Sequence, residues 1–271
     1  MQSAIARSWC FSPRREVILY WPEWKWSEGV GSKDMCDTCH CAQDAESRSA
    51  KKIIEVNQSL LAANNEKALA NKKLFREAGA VVINMISSPG AGKTTLLEHT
   101  IERLAGEFSI GVIEGDIETE RDAERIRAKG VPAVQITTGG ACHLDAGLIH
   151  IGMHRLMKQG EGRFDLIFIE NVGNLVCPAS FYLGEDLRMV LLSVPEGSDK
   201  PAKYPAAFTS SQLYVVTKTD LLPYFDFSLS EAREEALRLN PELKILELAA
   251  PKGTGMSEWL DNLRALVAGV E

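Results

Sequence analysis

No apolar run in this chain approaches the roughly 18 residues that a membrane-crossing helix needs, so the sequence reads as a soluble protein with no membrane partner. Its opening residues set Arg7, Arg14 and Arg15 among short apolar pieces and lack the continuous apolar segment of a secretory signal. A long basic run is missing as well. Lys and Arg number 30 against 37 Asp and Glu, and the net charge of −7 argues against a nucleic-acid surface. Internal repeats and low-complexity tracts are also absent. What remains is 271 residues, 45% of them hydrophobic, enough to bury the core of one moderate domain with an appendage.

Cysteine is scarce but clustered: Cys10, Cys36, Cys39, Cys41, Cys142 and Cys177. A disulfide framework suits a small secreted scaffold. In an acidic chain of this size, reduced thiols available to metal are the expectation, and with them a cytoplasmic location. Cys36-x-x-Cys39-x-Cys41 bunches soft donors suited to Zn²⁺ or Ni²⁺. The fourth ligand would be either His40 or, if Met35 is the true start and is removed, the α-amino group of Cys36. Residues 1–34 hold Trp9, Trp21, Trp24 and Trp26 without sustained periodicity, and read as either an extension or a mis-assigned start.

Residues 35–79 then comprise the cysteine motif and an amphipathic helix. Ile53, Val56, Leu60, Leu61, Leu69 and Leu74 recur near helical spacing over 45–79, which reads as either one long helix or two broken at Asn64-Asn65, and Gly79 ends the segment. This element either packs on the domain that follows or binds a partner.

From residue 80 to 271, apolar strands alternate with helical stretches, which predicts an α/β fold with a mostly parallel sheet and helices on both faces. Strands are expected at 81–86, 110–114, 133–137, 166–170, 188–193, 212–217 and 244–248. Helices are expected near 93–105, 119–129, 144–158, 229–239 and 256–268. Ligands in such sheets sit at the carboxyl ends of the strands.

After the first strand comes Ser87-Ser88-Pro89-Gly90-Ala91-Gly92-Lys93-Thr94, the layout of a P-loop with serine in place of its first glycine. The backbone of Gly90, Ala91, Gly92 and the helix start through Thr95 would surround phosphates, Lys93 would reach the outer ones, and Thr94 would take Mg²⁺. After the second strand, Asp116 either holds Mg²⁺ or caps the next helix. After the fourth comes Glu170-Asn171-Val172-Gly173, where Glu170 faces the metal and the Gly173 N–H can sense a γ-phosphate. After the sixth, Thr217-Lys218-Thr219-Asp220 offers a carboxylate that accepts from both N1–H and the exocyclic amine of guanine, with the Lys218 stem over the base. Gly253-Thr254-Gly255 fits a loop closing on that base, with Ala249 where GTPases usually have serine.

Neighbouring strands would also bring Cys142, His143 and Cys177 together beside the Gly173 segment. Composition alone favours two buried cysteines and a capping histidine; a thiolate acidified near a helix N-terminus would instead be a ready metal ligand. His150 and His154, spaced i, i+4, could bind metal, but a solvated or packed face is the reading adopted.

Together these segments resemble the hydrogenase nickel-incorporation GTPases, the HypB family, relatives of the urease accessory GTPases. The resemblance rests on Ser87-Ser88-Pro89-Gly90-x-Gly92-Lys93-Thr94-Thr95, Glu114-Gly115-Asp116, Cys142-His143-Leu144-Asp145 and Glu170-Asn171-Val172-Gly173-Asn174-Leu175-Val176-Cys177-Pro178. Glu196-Gly197-x-Asp199-Lys200-Pro201-x-Lys203-Tyr204-Pro205 also matches. Cys142-His143 with Cys177 separates the chain from the urease relatives, which carry Cys-Pro-His, and His40 stands where the family often has glycine.

The resemblance implies a P-loop NTPase fold and slow GTP hydrolysis with Lys93, Thr94, Asp116 and Glu170 at the reaction centre. It implies nucleotide-dependent dimerisation and nickel delivery to the [NiFe]-hydrogenase large subunit precursor with a small zinc-binding partner. It also makes Cys142, His143 and Cys177 a regulated nickel or zinc site, and Cys36, Cys39 and Cys41 a tighter nickel site. An accessory GTPase for urease and a nickel-storage protein are the alternatives.

Overall fold

The computed structural model describes residues 41–116, 120–160 and 162–269, with the first helix described only as backbone up to residue 57. Cys36, Cys39 and His40 lie outside the described residues, and Cys41 begins that first helix, α1 (Cys41–Glu77). None of the described helices is long and apolar enough to cross a membrane.

Seven strands form one parallel sheet: β1 (Val81–Ser87), β2 (Ile110–Asp116), β3 (Ala133–Thr137), β4 (Leu166–Glu170), β5 (Leu187–Ser193), β6 (Leu213–Thr217) and β7 (Lys244–Glu247). Their spatial order is β3-β2-β4-β1-β5-β6-β7. β1 is buried along its whole length, as expected of a central strand covered by helices on both faces. The chain leaves β1 toward β2 and β3, returns to insert β4 beside β1, then builds β5 to β7 on the other side. That reversal opens a crevice at the carboxyl ends of β1, β4 and β5. Two strands run further than expected. β1 extends to Ser87 and β2 to Asp116, so Asp116 belongs to the sheet and not to the loop after it.

The longer helices are α2 (Lys93–Leu104), α3 (Arg121–Arg127), α4 (Ala146–Gln159), α8 (Leu229–Leu239) and α9 (Met256–Ala268). Periodicity did not reveal three short ones: α5 (Cys177–Ser180), α6 (Lys200–Lys203) and α7 (Pro205–Thr209). Such lengths are too brief to show a helical stripe. One face of the sheet packs Leu96, Leu97, Ile101 and Trp259 over Ile83, Met85 and Phe168. The other packs Ile149, Met153, Leu156 and Phe75 over Val82, Ile113 and Ile169.

Of the readings of one helix or two, the single helix holds, since α1 is continuous through Asn64-Asn65. It departs from expectation in its docked face: Leu60 and Leu69 of the supposed apolar face are 58% and 65% exposed. The docked face is Asn64, Ala68, Asn71 and Phe75, all buried. Asn64 donates to the Tyr182 carbonyl at 2.7 Å and accepts from the Ala146 N–H at 2.9 Å. The residue that looked like a possible helix breaker therefore satisfies the first backbone N–H of α4. Gly79 does end the helix: its N–H bonds the Arg76 carbonyl and the Ala80 N–H bonds that of Phe75, a Schellman motif.

Candidate functional site

The crevice holds two joined cavities. The larger, about 490 Å³, is lined by Gly90, Gly92, Lys93, Thr94, Glu114, Asp116, Asp122, Arg125, Glu170–Gly173 and Lys218. The smaller, about 260 Å³, adjoins it at Gly92, Thr95 and Lys218 and adds Asp220, Leu221, Leu248 and Pro251. One compartment is polar and loop-lined; the other is largely apolar with one carboxylate. A phosphate chain fits the first and a planar base the second.

The phosphate end is built from the turn between β1 and α2. Gly90 and Gly92 take φ of 76° and 97°, conformations that a side chain would strain. This lets the backbone fold tightly into the N-terminus of α2, which no side chain caps. The first amides of that helix lack intrahelical partners and point their positive end into the cavity. Lys93, buried, donates to Ser87 Oγ at 2.9 Å, so the serine in place of the first glycine props the lysine.

Thr94 Oγ1 donates to Glu170 Oε1 at 2.9 Å, and Lys93 Nζ stands 3.9 Å from the same oxygen. In the β2–β4 register Glu114 lies opposite Glu170. Burial, and then the charge of Glu170, push the Glu114 carboxyl well above the usual carboxylate range. Burial raises Glu170 too, against the pull of Lys93. Glu114 Oε1 and Glu170 Oε2 are buried without a hydrogen-bond partner. Two buried carboxyls facing one lysine, with orphan oxygens and a threonine hydroxyl beside them, form a hard-oxygen donor set that fits Mg²⁺. Asp116 lines the same cavity. The N-cap residue of α3 is Glu120.

The base end depends on the segment after β6. Thr217 Oγ1 donates to the Ala91 carbonyl at 2.6 Å, tying β6 to the P-loop. Lys218 takes φ 58°, the one positive φ among described non-glycine residues, and its ammonium donates to the Gly90 carbonyl at 2.7 Å. Its stem thereby lies across Gly92 at the junction of the two cavities. Asp220 is exposed at the rim of the smaller cavity. The Ala249 N–H bonds the Thr254 carbonyl at 3.0 Å, which holds Gly253-Thr254-Gly255 back against β7's end.

Among the described residues, the ligand atoms of Cys142, His143 and Cys177 all lie within 4.8 Å of one another. The two sulfurs are 2.8 Å apart and Cys142 Sγ is 3.7 Å from His143 Nδ1. His143 stacks on Phe181 with ring centroids 4.0 Å apart, which fixes its plane. Burial, against the pull of Asp145, lowers its pKa and so favours the neutral imidazole. Two composition-based expectations fail here. Cys142 is exposed, not buried, and the helix cap is Asp145, which accepts from the Leu148 N–H at 2.7 Å. Cys177 is also not acidified: its hydrogen bond with Cys142, then burial, push the thiol up. A four-residue helix has too little dipole to offset a second sulfur at 2.8 Å.

One segment joins the cluster to the cleft. Gly173 passes so close to the P-loop that a Cβ on it would lie 2.9 Å from Pro89 Cα and Cγ. Asn174 pairs with Ser87 in an antiparallel bridge, and its side chain donates to the Cys142 carbonyl and accepts from the Val176 N–H. Asn171 Oδ1 accepts from the Leu144 N–H at 3.1 Å. Glu114, Asn171, Asn174 and Thr217 were not singled out from sequence. For the two asparagines the available signal was their place on either side of Gly173 in a motif already noted.

The family "CobW/HypB/UreG, nucleotide-binding domain" matches residues 81–247. "Hydrogenase maturation factor HypB" of Azotobacter chroococcum mcd 1 is 47% identical over 212 residues, covering 78% of this chain and 68% of that protein. "Hydrogenase/urease maturation factor HypB" of Helicobacter hepaticus is 46% identical over 196 residues, covering 72% and 80%. The crystal structure of HypB from Helicobacter pylori in complex with nickel superposes with a TM-score of 0.74 at 40% identity, covering 76% of this chain and 96% of that one. With a P-loop at the carboxyl end of the central strand and residues 81–247 matching its nucleotide-binding domain, this chain belongs to the HypB family of hydrogenase maturation factors, P-loop GTPases of the CobW/HypB/UreG group.

Proposed function

We propose that the chain is a GTP-driven nickel metallochaperone that inserts Ni²⁺ into a [NiFe]-hydrogenase precursor. The observation that carries this reading is the placement of Cys177 four residues beyond Gly173 on a segment pressed against Pro89. A metal ligand on a nucleotide-sensing segment makes metal affinity depend on nucleotide state, and the dependence is reciprocal.

In this reading Lys93 and the α2 N-terminus bind the phosphates, while Lys218 and Asp220 select guanine. Thr94, Glu170 and Asp116 would hold Mg²⁺, with Glu114 beside them; the ion would supply charge neutralisation at the transferred phosphoryl. The Gly173 N–H senses the γ-phosphate. Slow hydrolysis then relaxes the Asn171–Cys177 segment and loosens the Cys142–His143–Cys177 grip on Ni²⁺ or Zn²⁺. Residues 35–79 form the loading motif and helix, with Cys36, Cys39 and Cys41 as a second nickel site, and residues 80–271 the GTPase domain.

The working form is a nucleotide-dependent homodimer in the cytoplasm, where thiols stay reduced. It is loaded or relieved by a small zinc-binding nickel carrier. Urease is a second reading of the target, favoured by the double designation of the H. hepaticus relative. The test is GTP turnover and Ni²⁺ stoichiometry in wild type, Lys93→Ala and Cys142→Ala/Cys177→Ala. Loss of turnover in the first and of bound nickel in the second supports the reading. Nickel retained at full stoichiometry and affinity without both thiols overturns it.

A further inference from the structure

α4 carries a second pair of metal-ligating side chains outside the site just described. His150 Nδ1 lies 2.9 Å from Asn71 Oδ1. Asn71 is wholly buried, and its amide nitrogen donates to the carbonyls of Ala146 at 2.8 Å and Leu183 at 3.2 Å. Those two carbonyls fix which end of the amide is oxygen. Oδ1 must therefore face the ring, Nδ1 must carry the proton, and His150 Nε2 keeps its lone pair. One turn on, His154 Nε2 stands 3.3 Å from His150 Nε2, with the rings crossed at 87°. Two nitrogens bound to one tetrahedral ion at about 2.0–2.1 Å stand roughly 3.3–3.4 Å apart. The nitrogens already hold that bite.

We infer that His150 and His154 form a further divalent-cation site, a two-imidazole chelate for Ni²⁺, Zn²⁺ or a similar borderline ion, completed by water. A buried amide that orients Nδ1 and frees Nε2 is the outer support that imidazole ligands use. Imidazole suits these ions, and a site with two such ligands and no thiolate holds them more loosely than the Cys142 cluster would. His154 is exposed, so the open coordination positions face solvent. α4 begins three residues after His143, and Ala146 to His150 spans about 6 Å of helix, so the two sites are neighbours. A role as a holding station for cargo rests on the metal-delivery reading; cation binding itself does not.

Two variants test it by equilibrium dialysis with Ni²⁺. The full chain with Cys36, Cys39, Cys41, Cys142 and Cys177 all changed to alanine should keep one weak Ni²⁺ per chain, and adding His154→Asn should weaken it at least tenfold. His154→Asn in the otherwise wild-type chain should lower total stoichiometry by one while leaving thiolate-to-nickel charge-transfer absorption intact, and it needs no cysteine changes to fold. Cu²⁺ bound to the five-cysteine variant should show splitting from two nitrogens. Unchanged nickel stoichiometry and affinity in both His154→Asn chains would reduce the pair to a hydrogen bond between rings and overturn the site.

Discussion

Replacing Gly173 by alanine puts a methyl carbon 2.9 Å from Pro89 Cα and Cγ and 3.0 Å from Pro89 N. Carbon atoms pack best about 3.5–4.0 Å apart, so the overlap is roughly 0.6–1.1 Å. Pro89 cannot yield cheaply. It stands two residues beyond Ser87 at the end of β1 and precedes Gly90, whose carbonyl is held by Lys218. The displacement therefore falls on the Gly173 segment. Overpacking of this size costs about 1–3 kcal/mol. Carried by the triphosphate-bound arrangement, that is about a 5- to 150-fold loss of GTP affinity. Titrations with fluorescent GTP and GDP analogues, beside a thermal melt, separate the cases. The structure predicts a larger loss for the triphosphate than for the diphosphate. An equal loss for both, or no loss, would refute the role given to Gly173.

Thr217→Val removes the hydroxyl that ties β6 to the Ala91 carbonyl. At about 0.5–1.5 kcal/mol for such a bond, GTP affinity should fall roughly two- to twelvefold by calorimetry, and unchanged affinity would mean the tie is idle. Glu114 gives a pH signature. Its folded pKa is raised, so without Mg²⁺ and nucleotide the stability it contributes is present at acidic pH and is lost as pH rises from the usual carboxylate range through the raised value. Glu114→Gln should flatten that decline in melts run in chelator across this window, and parallel slopes in the two proteins would contradict the assignment.

The strand ends were legible because a parallel sheet concentrates function at its carboxyl edge, and glycine, lysine and aspartate there have few other uses. What escaped was whatever depends on a distant partner. Asn64 looked like a possible helix break because asparagine disfavours helix interiors, yet 82 residues away the Ala146 N–H needs its oxygen. Leu60 and Leu69 scored as core because periodicity counts apolarity and not the carbonyls that a docking loop presents. Thr217 was read only as the first letter of the segment carrying Lys218 and Asp220, although its hydroxyl performs the tie. Glu114 is paired with Glu170 only through β2–β4 register, which spacing along the chain does not reveal. At the Cys142–His143–Cys177 cluster the sequence supplied the donor types and the neighbouring strands. The 2.8 Å sulfur separation that raises the Cys177 pKa needed coordinates.

The central claim is that the nucleotide cleft and the Cys142–His143–Cys177 cluster share one movable segment. Its most direct test is the Ni²⁺ affinity of the cluster, measured in a Cys36→Ala/Cys39→Ala/Cys41→Ala chain with a non-hydrolysable GTP analogue bound and again with GDP bound. The account predicts that the two affinities differ by about 5- to 150-fold and that Ni²⁺ changes the ratio of nucleotide affinities by the same factor. Identical nickel affinity in the two nucleotide states would contradict it.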